Sequence, residues 1–277
     1  MNHQNQPPAS LASYDLTGIR ELKHISQDVN KSIAEVRTSM YGNRTVFPTK
    51  WPRLNRNLMG GLQPGKMYVI AGRPGVGKSA FSNQMIFDVL DQNSSKDVVV
   101  LYWTFEMPGY QQILRAGSKD TKMQTFELLS VEQRLSEEKF KTYEGMVQKY
   151  KEYPIFFCSI PQDMERVKKI NEDVFIRYPG TTVINLIDHS RLVKGKADTE
   201  PLLTDLFGGD SIGQDAHVVM MLQRPFDLYG ITDKYCGEEP EGLLAVHVEK
   251  NRDGLLGMIP FETDLSTFTI NERNESS

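Results

Sequence analysis

Four residues in one short segment have the types and spacing of a phosphate-binding loop. Gly72, Gly77, Lys78 and Ser79 fit the pattern G-x-x-x-x-G-K-[ST]. Glycines let the backbone amides turn toward an anion, a lysine at this position reaches terminal phosphates, and the neighbouring hydroxyl is a ligand for Mg²⁺. The pattern predicts a nucleoside triphosphate site with Mg²⁺. The residues predicted to line it are Arg73, Pro74, Gly75, Val76, Gly77, Lys78, Ser79 and Ala80.

Two elements must position this loop. The apolar run 67–71 predicts a strand before it, and a helical pattern follows from Lys78 to about Leu90. Such a helix begins at the phosphates, so its free N–H groups and its positive dipole end face the same anion. An ordinary glycine-rich turn between a strand and a helix is the alternative, but these flanks favour phosphate binding.

Two carboxylates follow apolar, strand-like runs. Glu106 comes directly after 97–105, and Asp188 after 182–187. In an open α/β sheet the carboxyl ends of the strands face the nucleotide, so Asp188 suits a metal ligand and Glu106 suits a group that polarises water. The alternatives are a turn residue for Asp188 and a favourable helix N-terminal charge for Glu106.

Composition limits the class of protein. The chain has 277 residues, a net charge of −4 and two cysteines, Cys158 and Cys236. Those cysteines predict neither a disulfide framework nor a metal site, and no apolar run approaches the ~20 residues of a membrane span. The charge balance shows no basic footprint for nucleic acid. A reducing cytoplasm is the simplest setting. Alternating strands and helices predict an α/β fold with a mostly parallel, doubly wound sheet.

Three segments are predicted. Residues 1–14 are polar and form a disordered tail, 15–43 form an amphipathic docking helix, and 44–277 form the nucleotide-binding domain. The narrow apolar stripe of the helix packs either on its own domain or on a neighbouring subunit. Its members recur at steps of three and four residues: Ile19, Leu22, Ile25, Val29, Ile33, Val36 and Met40.

From about Arg44 to Ile270 the chain resembles DnaB-like replicative helicases. The resemblance rests on six motifs that occur in the family's order. They are Gly61–Gly65, Gly72–Ser79, Thr104–Met107, the strand ending at Asp188, Asp210–Ala216 and Glu249–Gly254. The last two motifs separate this family from other ATPases of the RecA fold.

The resemblance implies a RecA-like P-loop NTPase that uses ATP and Mg²⁺. By resemblance, Glu106 is the catalytic carboxylate, Asp188 the Walker B aspartate and Arg115 an additional site arginine. Lys250 and Arg252 correspond to the pair that reaches the γ-phosphate of the neighbouring subunit. Lys78 and Ser79 keep the roles that the loop pattern predicts.

The resemblance also implies a function and partners. It predicts an ATP-driven DNA helicase that forms a homo-hexameric ring, docks its N-terminal helix on the next subunit and translocates on single-stranded DNA during replication. A primase or a loader is an expected partner, a membrane is not, and the setting is the cytoplasm of a bacterial or phage-infected cell. A single motor domain without a separate N-terminal domain resembles phage and plasmid relatives.

Two departures from the family pattern open further interpretations. Phe207 and Gly208 stand where the family carries an Arg-Glu pair, and only residues 189–204 follow Asp188 where the family has a helix, a core strand and a mobile loop. The lost strand lies between the Walker A and Walker B strands, so we expect either a missing segment or direct pairing of those two strands. The alternative functions are a degenerate, non-motor relative that assembles with an intact helicase, and another RecA-fold ATPase such as a recombination mediator.

Overall fold

A computed structural model describes residues 25–93, 97–105, 107–132, 134–160, 163–188 and 214–274. The chain divides into two compact units, Met1–Thr45 and Val46–Ser277. The predicted tail and the first part of the predicted docking segment lie outside the described residues. No helix in the described ranges is both long and apolar enough to cross a membrane.

The described elements alternate between helix and strand along most of the chain. The helices are α1 (Ile25–Met40), α2 (Pro52–Asn57), α3 (Lys78–Gln92), α4 (Gly109–Thr121), α5 (Thr125–Leu129), α6 (Glu137–Gln148), α7 (Met164–Arg177) and α8 (Pro225–Tyr229). The strands are β1 (Tyr68–Gly72), β2 (Val98–Thr104), β3 (Ile155–Cys158), β4 (Thr182–Asp188), β5 (Val218–Gln223), β6 (Leu243–Asn251), β7 (Gly257–Asp264) and β8 (Thr269–Glu272).

The first unit contains α1, whose apolar stripe is exposed. Asp28 in the first turn and Arg37 in the last turn have the charges that stabilise helix ends. The stripe repeats at helical spacing, and each of its side chains is exposed: Ile25, Val29, Ile33, Val36 and Met40. A stripe of this kind is the surface that a helix uses to dock on a groove.

The strands form two sheets. One has the order β1-β5-β6-β7-β8, and the other has the order β3-β2-β4. The pairs β1–β5, β2–β3 and β2–β4 are parallel, whereas β5, β6, β7 and β8 pair in antiparallel fashion. The helix α3 makes the crossover from β1 to β2, as α/β folds require. The predicted α/β class is confirmed, and antiparallel strands extend one edge of its parallel part.

Among the described residues, no strand lies between β1 and β4. In the described part of the chain β1 has β5 as its strand neighbour and β4 has β2, and no strand connects them. Of the two alternatives expected from the sequence, direct pairing of these two strands is wrong, and the missing segment stays a prediction. Because inner strands of a parallel sheet are covered on both faces, β5 is buried throughout, but β4 is not and Ile187 is 49% exposed.

One hydrophobic core lies against both sheets. The helix α3 contributes Phe81 and Met85, which share a cluster of buried side chains with Val100 of β2 and Met220 of β5. Phe81 also stacks on Trp51, with ring centroids 4.6 Å apart. Burial of this apolar surface is the main force that keeps the two sheets together, since they exchange no strand hydrogen bonds in the described ranges.

A buried ion pair fixes α3 to α4. The Asp88 side chain is 1% exposed, and its Oδ1 accepts a hydrogen bond from Lys119 Nζ at 2.9 Å. Lys50 Nζ lies 3.3 Å from the same oxygen. A buried carboxylate without such partners carries a large desolvation penalty, so the pair makes the position of α4 depend on α3.

We predict that Lys119→Met destabilises the domain by about 3 kcal/mol, because the buried Asp88 then keeps only the more exposed Lys50 as a charged partner, beside the neutral donor Gln84. Urea unfolding followed by circular dichroism measures the change. The matched control is Lys141→Met on the exposed face of α6, where we expect a change within about 0.5 kcal/mol. Equal effects of the two substitutions would contradict a structural role for the pair.

Candidate active site

The predicted phosphate loop lies between β1 and α3. Gly77 caps α3 at a φ of 105°, a left-handed conformation that favours glycine. Gly72 approaches β5 so closely that a Cβ there would lie 2.7 Å from the carbonyl oxygen of Leu222. Glycine at these two positions therefore lets the loop lie on the sheet and turn directly into the helix.

Lys78 is placed inside this loop. Its Nζ donates hydrogen bonds to the carbonyl oxygens of Gly72 at 2.9 Å and Arg73 at 3.1 Å. A carbonyl is a neutral acceptor, so these bonds orient the ammonium without neutralising it. The ammonium thus lies at the loop from which α3 begins, and the N-terminus of a helix favours an anion.

The remaining loop residues divide by what they can offer a ligand. The side chains of Val76 and Ala80 are buried in the core, so these residues can contribute only backbone N–H groups. The guanidinium of Arg73 lies 5.3 Å from the ring centroid of Tyr229 on α8. The structure therefore places α8 next to the loop residues 73–80 that the sequence predicted to bind the nucleotide.

Ser79 meets Asp188 across the break in the sheet. The Ser79 hydroxyl donates to Asp188 Oδ1 at 3.0 Å. Asp188 ends β4 in register with Thr104, the last residue of β2. The structure thus brings the two predicted metal ligands into direct contact.

This donor set fits Mg²⁺. A hydroxyl and a carboxylate are the hard oxygen ligands that Mg²⁺ prefers, usually together with phosphate and water oxygens. The described residues include no group of three or more His, Cys, Asp or Glu able to hold a metal ion. A cation bound by Ser79 and Asp188 therefore needs additional oxygens, and the phosphates of a nucleotide supply such oxygens.

Arg115 of α4 is partly buried and interacts electrostatically with the same carboxylate. Its guanidinium carbon lies 4.8 Å from the ring centroid of Phe268. Burial lowers the pKa of Arg115, and the charges of Tyr102 and Asp188 oppose that shift. Burial and the charge of Asp188 together raise the pKa of the Tyr102 hydroxyl, which stays neutral. Arg115 thus supplies positive charge beside the predicted metal ligand, although sequence spacing alone did not indicate it.

The predicted catalytic carboxylate, Glu106, lies outside the described residues. So do Phe207, Gly208 and the segment 189–213 that follows Asp188. The described chain resumes at Gln214.

Lys250 and Arg252 lie beside the first residues of β5, whereas the loop lies beside its last residues. Both donate to the carbonyl oxygen of Gln214, Lys250 Nζ at 2.9 Å and Arg252 Nη2 at 2.6 Å. Gly72 is in register with Leu222, near the end of β5, whereas the end of β6 is in register with Val218 at its start. At about 3.3 Å per residue, the backbone of Lys250, opposite Val219, lies about 10 Å from Gly72 along the strands, and that of Arg252 lies about 17 Å away. The strands β6 and β7, on either side of these residues, form an antiparallel hairpin.

Sequence reasoning missed two polar residues at the end of β5, Gln223 and Arg224. Gln223 lies one residue beyond the partner of Gly72, and its side chain accepts a hydrogen bond from the Tyr235 hydroxyl at 2.6 Å. Arg224 forms an ion pair with Asp227 at 2.8 Å, while its buried Nε has no hydrogen-bond partner. A Gln-Arg pair after an apolar strand was the available signal, because that strand end faces the nucleotide edge of an α/β sheet.

A glycine-rich loop between a parallel strand and a helix, with an aspartate from a second parallel strand at its serine, defines a P-loop NTPase. The family model described as "DnaB-like helicase C terminal domain" matches residues 47–174 and 174–270. The chain therefore belongs to the DnaB-like helicase C-terminal domain family.

Curated relatives and solved structures agree with this membership. The chain is 26% identical over 254 residues to replicative DNA helicase DnaB of Mycoplasma genitalium, covering 76% of this chain and 53% of that protein. It is 24% identical over 257 residues to replicative DNA helicase DnaB of Helicobacter pylori strain J99, covering 79% and 52%. The chain thus spans about half the length of these relatives.

Two solved structures share the fold. One is described as an ATPase domain and has a TM-score of 0.75 at 18% identity, covering 92% of this chain and 100% of that one. A DnaB-like replicative helicase described with its interactions with primase also has a TM-score of 0.75 at 18% identity, covering 91% and 67%. These likenesses show the RecA-like fold that the sequence predicted.

The alignments with the curated relatives contain more positions than the number of residues that this chain contributes to them. One extends over 254 residues yet covers 76% of a chain of 277. The relatives therefore contain residues inside the matched region that have no counterpart here. This agrees with the sequence-based expectation that the family's domain is larger by an internal segment.

We predict that Lys78→Ala lowers the affinity for MgATP by about tenfold to a hundredfold, because the loop loses a charge-assisted contact to phosphate. Calorimetric titration with MgATP measures the affinity, and the melting temperature reports whether the fold is retained. Lys141→Ala, on the exposed face of α6, is the control and should bind as the unaltered protein does. An unchanged affinity in the Lys78 variant would remove the basis for the phosphate loop.

Proposed function

We propose that this chain is the ATP-driven motor of a DNA helicase, which forms a ring and translocates on single-stranded DNA during replication. The observation that carries this proposal is the contact of Ser79 with Asp188, because it joins the phosphate loop to a metal-binding carboxylate. Family membership supplies the helicase class. ATP and Mg²⁺ are the proposed nucleotide and metal.

Each proposed role uses the chemistry of one side chain. Lys78 exchanges its two carbonyl partners for terminal phosphate oxygens, and Ser79 and Asp188 hold Mg²⁺. Mg²⁺, when bound, neutralises phosphate charge. Glu106 is proposed to polarise the attacking water. Arg115 stabilises negative charge that develops beside Asp188.

Lys250 and Arg252 lie at the other end of β5 from the phosphate loop, and this location supports an oligomeric enzyme. About 10 Å of strand separates Lys250, and about 17 Å separates Arg252, from the loop of their own chain, and we propose that their charge acts on phosphates at the loop of another subunit. A guanidinium with planar N–H donors matches the charge that spreads over a phosphoryl group.

The exposed stripe of α1 supports the same assembly. Its five apolar side chains are suited to docking on a neighbouring subunit. We therefore propose a homo-hexamer as the functional state, with single-stranded DNA as its substrate track. One solved relative is described with its interactions with primase, so a primase or a loader is a proposed partner. The proposed location is the cytoplasm of a bacterial or phage-infected cell.

Strand displacement measured together with ATP turnover tests the function. The motor hypothesis expects single-stranded DNA to stimulate hydrolysis and a forked duplex to be unwound in the presence of MgATP. Lys78→Ala is the negative control, since it should lose both activities. An ATP hydrolysis rate that does not change on addition of DNA, together with no strand displacement, would contradict the motor hypothesis.

We predict that Arg252→Ala keeps its affinity for ATP but loses turnover, because an arginine supplied by a neighbour contributes about 10³–10⁵ in rate. Mixing this variant with Lys78→Ala should restore part of the activity, since mixed rings contain sites with an intact loop and an intact neighbouring arginine. Arg177→Ala at the end of α7 is the matched control and should keep full turnover. Full turnover by dilute monomers of the Arg252 variant would contradict action between subunits.

A second function is favoured by one observation, the absence of a strand between β1 and β4 among the described residues. Each buried backbone group without a partner costs about 1–3 kcal/mol, so a gap of this kind burdens a motor domain. A non-motor relative that binds a nucleotide and assembles with an intact helicase needs no mobile loop at that gap. The exposed stripe of α1 would then dock on the intact helicase.

Intact mass and activity together separate the two functions. If the natural protein has the 31.5 kDa of this sequence, we predict very weak hydrolysis alone and a measurable change in the turnover of an intact DnaB-like helicase mixed with it. A larger mass with unwinding activity identifies a motor that contains an additional segment. Unwinding at ordinary helicase rates by a 31.5 kDa protein would show that the gap does not impair the motor.

A further inference from the structure

A cavity of about 680 Å³ opens beside α2, α4 and β8. It reaches Gln84 and Asp88 of α3, and none of its lining residues belongs to the phosphate loop 72–79. Its charged lining includes three carboxylates, Asp88, Asp120 and Glu272. Its cations are Lys50, Arg53, Arg56, Lys119, Lys122 and Arg273. This local excess of positive charge contrasts with the net charge of −4 of the whole chain.

The deepest charges in this cavity neutralise one another. Asp88 accepts from Lys119 at 2.9 Å and lies 3.3 Å from Lys50. Asp120 lies 3.3 Å from Lys119 and 2.7 Å from Lys149. Burial favours the neutral form of Lys50, but its bond to Asp91 and the nearby Asp88 outweigh this and raise its pKa. These lysines are therefore committed to internal ion pairs.

Glu272 is also occupied. Its Oε2 accepts from the backbone N–H of Arg53 at 2.9 Å, and its Oε1 accepts from the backbone N–H of Leu54 at 2.8 Å. The carboxylate is held by these two main-chain donors and forms no ion pair within the described ranges. It does not cancel the charge of the neighbouring cations by direct contact.

Three cations on the rim have no carboxylate within ion-pair distance in the described part of the chain: Arg53, Arg56 and Lys122. Arg53 Nη1 donates to the carbonyl oxygen of Arg273 at 3.5 Å, and Lys122 Nζ donates to Thr269 Oγ1 at 3.2 Å. Both acceptors are neutral. Lys122 occupies a left-handed conformation at the end of α4, with a φ of 58°, which is unusual for a side chain of this kind.

We propose that this cavity binds a small polyanion with two or more phosphoryl groups, at a site separate from the phosphate loop. Guanidinium groups match phosphate oxygens in pairs, and a volume of about 300–1,000 Å³ suits a small ligand. The aromatic side chain in the lining, Trp51, is 2% exposed and donates its indole N–H to the carbonyl oxygen of Ile270, so it offers no open face to a nucleobase. The site therefore recognises the phosphates.

Inorganic tripolyphosphate is a suitable probe, titrated by calorimetry at low salt into the full chain. The phosphate loop can also bind it, so the Lys78→Ala protein isolates the second site, where we expect one equivalent to bind. In that background Arg56→Glu with Lys122→Glu should weaken binding by about tenfold or more. Lys141→Glu is the matched control. Added salt should weaken the binding, because exposed charges are screened.

Two results would overturn the proposal. One is a Lys78→Ala protein that binds no tripolyphosphate, and the other is a double reversal that leaves its affinity unchanged. If the double reversal does not fold, judged by its melting temperature, Arg56→Gln with Lys122→Gln takes its place with the same expectation. A loss of single-stranded DNA binding without loss of tripolyphosphate binding would assign the cavity to nucleic acid and also overturn the proposal.

Discussion

The hydrogen bond between Ser79 and Asp188 joins two sheets that share no strand among the described residues. The proposed metal site depends on this contact, because it places the predicted metal-binding carboxylate against the phosphate loop. The buried side chains of α3 pack against both of these sheets. A helix that starts at the loop and packs on both sheets keeps the site assembled where strand pairing cannot.

Charge is distributed over the domain in a way that divides the proposed chemistry between subunits. Lys78 and Arg115 lie at the loop and beside Asp188, on one edge of the sheet. Lys250 and Arg252 lie at the other edge, where they share the carbonyl oxygen of Gln214. In the proposed mechanism a single chain contains both halves of a site at separate places, and assembly is a condition of catalysis.

The gap between β1 and β4 in the described chain and the exposed helix α1 differ in how their backbone hydrogen bonds are satisfied. An exposed apolar helix such as α1 leaves no backbone hydrogen bonds unmade in the absence of a partner, because those bonds lie within the helix. Strands obtain their backbone hydrogen bonds from neighbours, so β1 and β4 depend on what lies between them. The additional residues that relatives contain in the matched region are consistent with a larger sheet in those proteins.

The sequence by itself determined the local chemistry. Glycine spacing fixed the phosphate loop, apolar runs fixed most strands, and resemblance fixed the family, because these signals are carried by neighbouring residues. The rule that strand ends face the nucleotide placed Asp188 at the same edge as the loop, in agreement with its contact with Ser79. Only the tertiary structure decided that β1 and β4 stay apart, that Arg224 lies near the loop and that the cavity beside α4 is basic. Those features depend on residues distant in the chain, and their packing leaves no local pattern in the sequence.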